Sequence, residues 1–180
     1  MTRKTLLERR IRLFTGCFLA GLVVSGLSAI PLETEVDWLA KITNPVALTG
    51  TSWSVWLAKV HAAVRQTGTQ FPFLFYGTDW LAFGHFVIAL AFIGALRDPL
   101  RNAWLFTFGM VACVLVIPYA LLFGAARGIP FWWRLIDCSF GVFGFLPLWL
   151  CKRWTRELEA FAGLWPHYRD LGSTGLKTVR

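Results

Sequence analysis

The stretch AWLFTFGMVACVLVIPYALLF, residues 103–123, decides the fold class because it contains no charged residue. About 20 apolar residues, at a rise of about 1.5 Å each, cover the roughly 30 Å of hydrocarbon in a bilayer, so this run predicts a transmembrane helix. Three other stretches meet the same criterion. The four predicted spans are about residues 11–30, 80–96, 103–123 and 131–151. Helices are expected because lipid cannot satisfy open backbone groups and no strand-like alternation recurs.

The composition agrees with a membrane protein. Of the 180 residues, 56% are hydrophobic and 16% charged, against roughly 45–50% and about 25% in soluble chains. This excludes a disordered chain and a small disulfide scaffold. The net charge is +8, but the basic residues flank the apolar runs, so nucleic acid is not an expected partner. We predict an all-α integral membrane protein: four transmembrane helices in an antiparallel bundle, forming a single domain over residues 1–180.

The basic residues also predict the orientation of the chain. Thirteen of the 18 Lys and Arg residues lie before the first span, between the second and third, or after the fourth. Cytoplasmic loops carry such an excess, and the Trp residues fall near span ends, as aromatic belts do. We therefore expect a multi-pass plasma-membrane protein with both termini cytoplasmic and a bacterial inner membrane as its location. Its cytoplasmic tail is predicted at 152–180, with the fourth helix continuing into it through Ala162. The first run is too long for a signal peptide and is expected to stay as an anchor.

Residues 31–79 form an outer segment too long for a plain connection. A shorter helix is predicted over residues 34–42. A second, amphipathic helix is predicted from a stripe of apolar residues at helical spacing: Trp53, Trp56, Leu57, Val60 and Val64. Lys59, His61 and Arg65 lie off that stripe. The segment is either a lid over the bundle or an interfacial helix with its Trp residues at the headgroups, and the second interpretation is slightly favoured.

Four ionisable or polar side chains fall within the outer part of the predicted spans: His85, Tyr119, Arg134 and Asp137. His85, Tyr119 and Asp137 lie about 6–9 Å below the outer boundary, and Arg134 lies one turn from Asp137 on the same helix face. Ionisable groups inside spans are rare enough to count as functional candidates. One hypothesis is a single hydrogen-bonded cluster that relays protons or grips a polar headgroup. The structural alternative is an Arg134–Asp137 ion pair at i,i+3 spacing, with His85 satisfied by a carbonyl.

Metal and haem sites are not expected. His85 is the one histidine within a span, and Cys17, Cys113, Cys138 and Cys151 show no metal-ligand spacing. Motifs for nucleotides, metalloproteases and serine hydrolases, such as GxGxxG, HExxH and GxSxG, are absent from the sequence. An enzymatic activity is therefore not favoured, and the identity of any cofactor stays open.

Small residues predict close helix contacts, within the chain or between copies. They form the patterns Gly21-x-x-x-Ser25-x-x-x-Ala29 and Gly141-x-x-Gly144. The predicted function is that of a non-enzymatic accessory or interaction protein, with membrane lipid and either further copies or partner membrane subunits as its contacts. The alternative is a protein that binds a lipid, quinone or other small ligand at the outer-leaflet cluster.

Overall fold

A computed structural model describes residues 2–43 and 50–161, and within these ranges the chain is helical and has no strand. Six α-helices follow one another, with a 3₁₀ turn at Pro72–Phe75 before the fourth. They are α1 Arg3–Ala29, α2 Leu32–Thr43, α3 Ser52–Gln70, α4 Tyr76–Arg97, α5 Ala103–Ala126 and α6 Phe131–Phe161. The helices α1, α4 with its preceding turn, α5 and α6 are long and apolar enough to cross a membrane. The all-helical class and the four candidate spans are thus confirmed.

Two of these helices extend well beyond the predicted spans. The first begins at Arg3, about two turns before the predicted start, and the last continues to Phe161. At about 1.5 Å per residue α6 is about 46 Å long, which exceeds the hydrocarbon thickness. The rest of the predicted tail, from residue 162, lies outside the described residues.

The chain forms two compact units: one contains the residues up to Phe18 and from Ala91 onward, and the other is Leu19–Leu90. The prediction of a single domain stays a prediction. In the first unit, the N-terminal half of α1 packs on the C-terminal half of α6. The Nε of Arg3 donates to Glu157 Oε1 at 2.8 Å, and the Sγ of Cys151 lies 3.6 Å from the Oγ1 of Thr15. Residues recurring every three or four positions are buried there: Leu7, Ile11, Thr15, Leu148, Cys151, Thr155 and Leu158.

Glycines set the distance between α5 and α6. A Cβ at Gly141 would lie 2.5 Å from the backbone oxygen of Cys113, and one at Gly144 would lie 2.9 Å from the Cys113 Sγ. The predicted small-residue pair on α6 therefore serves a contact within the chain.

The connection between α4 and α5 is closed by Asn102. Its side-chain Nδ2 donates to the backbone oxygens of Gly94 at 3.0 Å and Asp98 at 2.9 Å. Each of these carbonyls also accepts a backbone N–H, Gly94 from Asp98 and Asp98 from Asn102, so the amide adds a second donor to both. The carboxylate of Asp98 accepts from the backbone N–H of Arg101 at 3.1 Å, which fixes the turn.

In the second unit, α1 approaches α4 at Gly26. A Cβ there would lie 2.7 Å from Phe86 Cε1 and 3.2 Å from the backbone oxygen of Ala82. At Gly21, the first residue of the predicted small-residue stripe, an added Cβ would meet nothing within 4 Å. The contact surface of α1 in this unit is therefore rotated away from the predicted stripe.

Candidate functional site

A cavity lies between α2 and α3, and local sequence explains both helices. Glu33 and Glu35 lie in the first turn of α2 and Lys41 in its last, an order that suits the helix dipole. Thr51 caps α3, since its side-chain oxygen accepts from the backbone N–H of Ser54 at 3.2 Å. Both helices predicted for the outer segment are thus present, with α2 at Leu32–Thr43 and α3 at Ser52–Gln70.

The apolar stripe predicted for α3 faces the interior of this unit. Leu57 is buried, and Trp53, Trp56, Val60 and Val64 are half-buried, whereas Lys59 and Arg65 are exposed. His61 differs from the prediction: it lies off the apolar stripe in sequence, yet it is half-buried, because it reaches a partner on α2.

The α2–α3 groove is a cavity of about 640 Å³. This falls within the range of about 300–1,000 Å³ typical of small-molecule sites. Small side chains leave the space open on both helices, notably Ala40, Ser54 and Ala58. The remaining lining residues are Asp37, Lys41, Thr43, Val55, Leu57, His61 and Arg65.

An ion pair joins the two walls of the groove. The Nε2 of His61 lies 2.6 Å from Oδ1 of Asp37, and each side chain is about one-third exposed. A carboxylate can only accept, so the proton of this bond sits on Nε2. The pair therefore holds α2 against α3 and orients the imidazole ring.

Two cations flank this pair, each one helical turn further along its helix. Lys41 follows Asp37 by four residues and Arg65 follows His61 by four, so each shares a face with its neighbour. In the described part of the chain the ion pairs are Asp37–His61 and Arg3–Glu157, so neither Lys41 nor Arg65 has a carboxylate partner there. The groove therefore presents uncompensated positive charge beside a hydrogen-bonded dyad.

The groove does not contain a serine catalytic triad. Ser54, His61 and Asp37 share its lining, which superficially resembles a catalytic triad. Ser54 and His61 are seven residues apart on one helix, however, which separates them by about 10 Å along the axis. Ser54 Oγ instead donates to the backbone oxygen of Thr51 at 3.0 Å. A serine must lie within hydrogen-bond reach of its base to be activated, so no triad forms.

The predicted intramembrane residues occupy both units. His85 belongs to the Leu19–Leu90 unit, and its Nδ1 donates to the backbone oxygen of Leu81, one turn earlier, at 2.8 Å. This is the carbonyl bond that the structural alternative predicted. Tyr119 belongs to the other unit; its side chain is exposed, and its ring lies 4.4 Å from that of Phe123.

Arg134 takes a different partner from the one predicted. Its Nη1 donates to the backbone oxygen of Leu121 on α5 at 3.1 Å, and its aliphatic stem lies against Gly124. Asp137 is half-buried, and within residues 2–43 and 50–161 it forms no ion pair with Arg134. The predicted ion pair between Arg134 and Asp137 is not formed, because the arginine side chain reaches a carbonyl of the neighbouring helix instead. The wider cluster of His85, Tyr119, Arg134 and Asp137 stays a prediction.

The described ranges contain no group of three His, Cys, Asp or Glu side chains arranged to hold a metal ion. Sequence reasoning singled out His61 and Arg65 only as polar residues off a stripe, and it missed the groove. A usable signal was present: Asp37 and Lys41, like His61 and Arg65, are spaced by four residues and so share a helix face.

The sequence matches no known protein family, and no curated protein or solved structure matches it.

Proposed function

We propose that this chain is a non-enzymatic accessory or interaction protein of the plasma membrane, and that the α2–α3 segment is its interaction region. The observation that supports the proposal is that large apolar side chains are exposed on α2 and α3, which are not among the four helices able to cross a membrane. Trp38 and Val55 are each 63% exposed, and Ile42 is 52% exposed. Trp38 and Ile42 are four residues apart and so share a face of α2. Neighbouring large apolar side chains exposed outside the lipid are typical of an interface. Partner membrane subunits or a second copy of the chain are the proposed contacts.

The proposal extends to topology. The four helices form an antiparallel bundle that crosses a bacterial inner membrane four times, with both termini in the cytoplasm. The distribution of Lys and Arg supports this orientation. The test uses a cysteine-free chain with a single new cysteine, Arg9→Cys or Lys59→Cys, both at exposed positions. A membrane-impermeant thiol reagent added to intact cells is expected to label Lys59→Cys and not Arg9→Cys; the reverse pattern would invert the topology.

A photo-crosslinking amino acid tests the interaction region. It is placed at Trp38, and the matched control is Phe143 on α6, which is 74% exposed on a helix able to span the membrane. Cross-linking in native membranes is expected to give a discrete protein adduct at position 38 and lipid adducts at position 143. A second copy in the adduct would identify a homo-oligomer. Lipid adducts alone at both positions would refute the proposal and favour a purely interfacial α2–α3 segment.

A second candidate function is binding of a small anionic ligand, with the α2–α3 groove in place of the predicted outer-leaflet cluster. The volume of the groove and the uncompensated charge of Lys41 and Arg65 support it. Succinate and inorganic phosphate are suitable probes. Lys41→Gln is expected to abolish any rise in melting temperature that they cause, whereas Lys59→Gln, on the same segment but outside the groove, should retain it. Equal loss in both variants would exclude the groove as the site.

A further inference from the structure

A second groove lies where α5 begins and where α6 extends past the length needed to cross a bilayer. Its cavity is about 190 Å³, large enough for a phosphate group but not for a large ligand. The walls come from the first turns of α5 and from the C-terminal third of α6. The lining residues are Ala103, Trp104, Thr107, Lys152, Thr155, Arg156 and Glu159.

The depth of this groove follows from the length of α6. Counting from Phe131 at about 1.5 Å per residue, about 30 Å of hydrocarbon ends near residue 151. Lys152 is the first residue past that point and Arg156 lies one turn further on. Trp104 is 61% exposed, as an indole at a membrane–water interface would be. The groove therefore lies at the level of the lipid headgroups.

The net charge of the groove is positive, since two cations and one carboxylate line it. Lys152 and Arg156 face it from the same side of α6, four residues apart. Glu159 also lines it, but in the described ranges it forms no ion pair with either cation. The start of α5 adds partial positive charge, because the side chain of Asn102 makes no cap hydrogen bond to that helix end.

The neighbouring basic residues are arranged differently. Arg3 is paired with Glu157, the Arg10 guanidinium lies over the ring of Trp154 at 5.8 Å, and that of Arg153 lies over Trp149 at 5.9 Å. Lys152 and Arg156 have no such partner in the described chain. Basic pockets between transmembrane helices at headgroup level bind the phosphates of anionic lipids.

We infer that the groove formed by Trp104, Thr107, Lys152 and Arg156 binds the phosphate-bearing headgroup of an anionic phospholipid. The two cations contact the phosphate, the Thr107 hydroxyl is a hydrogen-bond donor to it, and Trp104 lies beside the glycerol and upper acyl region. This site is separate from the α2–α3 segment, and its test is independent of the proposed interaction function.

The experiment measures binding of acyl-labelled phosphatidylglycerol to the detergent-purified full chain by fluorescence anisotropy, with labelled phosphatidylcholine as the neutral lipid. The groove variant is Lys152→Gln with Arg156→Gln. The matched control is Arg9→Gln with Arg12→Gln, which removes the same charge from exposed positions on the N-terminal part of α1. A basic side chain near an anionic lipid contributes about 1 kcal/mol, so two side chains correspond to a loss of at least about tenfold.

Phosphatidylglycerol is expected to bind at least about tenfold more tightly than phosphatidylcholine, on the same reasoning. The groove variant should lose that preference, with its unliganded melting temperature unchanged, and the control variant should keep most of it. Equal losses in both variants would show a diffuse charge effect and overturn the site. Equal binding of the two lipids would also overturn it. Displacement of the lipid by inorganic phosphate at concentrations similar to that of the lipid would assign the groove to a free anion and overturn the lipid assignment.

Discussion

The substitution Gly141→Ala tests the closest contact between α5 and α6. The added methyl group would lie 2.5 Å from the backbone oxygen of Cys113, whereas carbon–oxygen contacts are ordinarily about 3.3–3.6 Å. The helices must therefore separate by about 1 Å at this point. A backbone carbonyl in a helix cannot rotate aside without losing its own hydrogen bond, so a side-chain adjustment does not relieve the contact.

The magnitude follows from two opposing effects. Overpacking costs about 1–3 kcal/mol, and replacing Gly by Ala within a helix recovers up to about 1 kcal/mol. The net destabilisation relative to the unsubstituted chain is then about 0–2 kcal/mol, a fall in melting temperature of up to about 8 °C for a chain of this size. Relative to a Gly→Ala substitution at an open helix position, the difference is the whole overpacking cost of about 1–3 kcal/mol. Gly144→Ala should cost less, because its nearest neighbours are the side chains of Cys113 and Phe18, which can adjust.

Gly84→Ala is the matched control, since nothing lies within 4 Å of the Cβ position at Gly84 on α4. It should leave stability unchanged or raise it slightly through helix propensity. The assay is thermal unfolding in detergent with a thiol-reactive fluorogenic dye, because Cys113, Cys138 and Cys151 are buried and become reactive on unfolding. Cys17 is exposed and is replaced by Ser in every variant. A melting temperature for Gly141→Ala equal to or above that of Gly84→Ala would refute the reasoning.

Three further tests address the turn, the α1–α4 contact and the α2–α3 groove. Asn102→Ala removes two hydrogen bonds, to the carbonyls of Gly94 and Asp98, and should lower the free energy of unfolding by about 1–2 kcal/mol in the same dye assay; no change would mean that water replaces them. Gly26→Val should lower the melting temperature strongly and Gly21→Val should not, because an added side chain meets α4 only at Gly26. Equal falls in melting temperature would contradict the contact between Gly26 and α4. A double-mutant cycle of Asp37→Ala and His61→Ala should give a coupling free energy of at most about 1 kcal/mol that decreases as salt is added, because both side chains are partly exposed. Hydrogen exchange of the backbone amides of α2 and α3 measures this coupling. Zero coupling at low salt would show that the pair does not stabilise the segment.

The membrane-spanning character could be predicted because it depends on composition alone. A run such as residues 103–123 has no charged residue, and any helix of that length and hydropathy can span a bilayer, whatever its neighbours are. The stripe that includes Leu57 was equally predictable, since helical periodicity is a local property. The continuation of the fourth helix into the tail was predicted, and it is present as far as Phe161. The start of the first helix at Arg3 was not predicted, because charged residues can continue a helix into water as readily as end it.

The candidate sites depended on information that no local pattern holds. His61 forms a hydrogen bond with Asp37, which lies 24 residues earlier in the sequence. Arg134 donates to the backbone oxygen of Leu121 and not to the carboxylate of Asp137, three residues away. Each outcome depends on how two helices are rotated about their axes, and a rotation of one residue, about 100°, would replace the side chains at the contact.

The sequence by itself therefore determined that the chain is helical and carries four segments suited to cross a membrane, together with two shorter helices between the first and second of them. Hydropathy and helical periodicity are properties of consecutive residues, so both can be recognised without knowing which other helix a segment packs against. Only the tertiary structure decided that Gly141 lies on Cys113, that Asp37 pairs with His61, and that Lys152 and Arg156 share a groove with Trp104. These contacts arise between helices, and packing sets them through the positions of the smallest side chains.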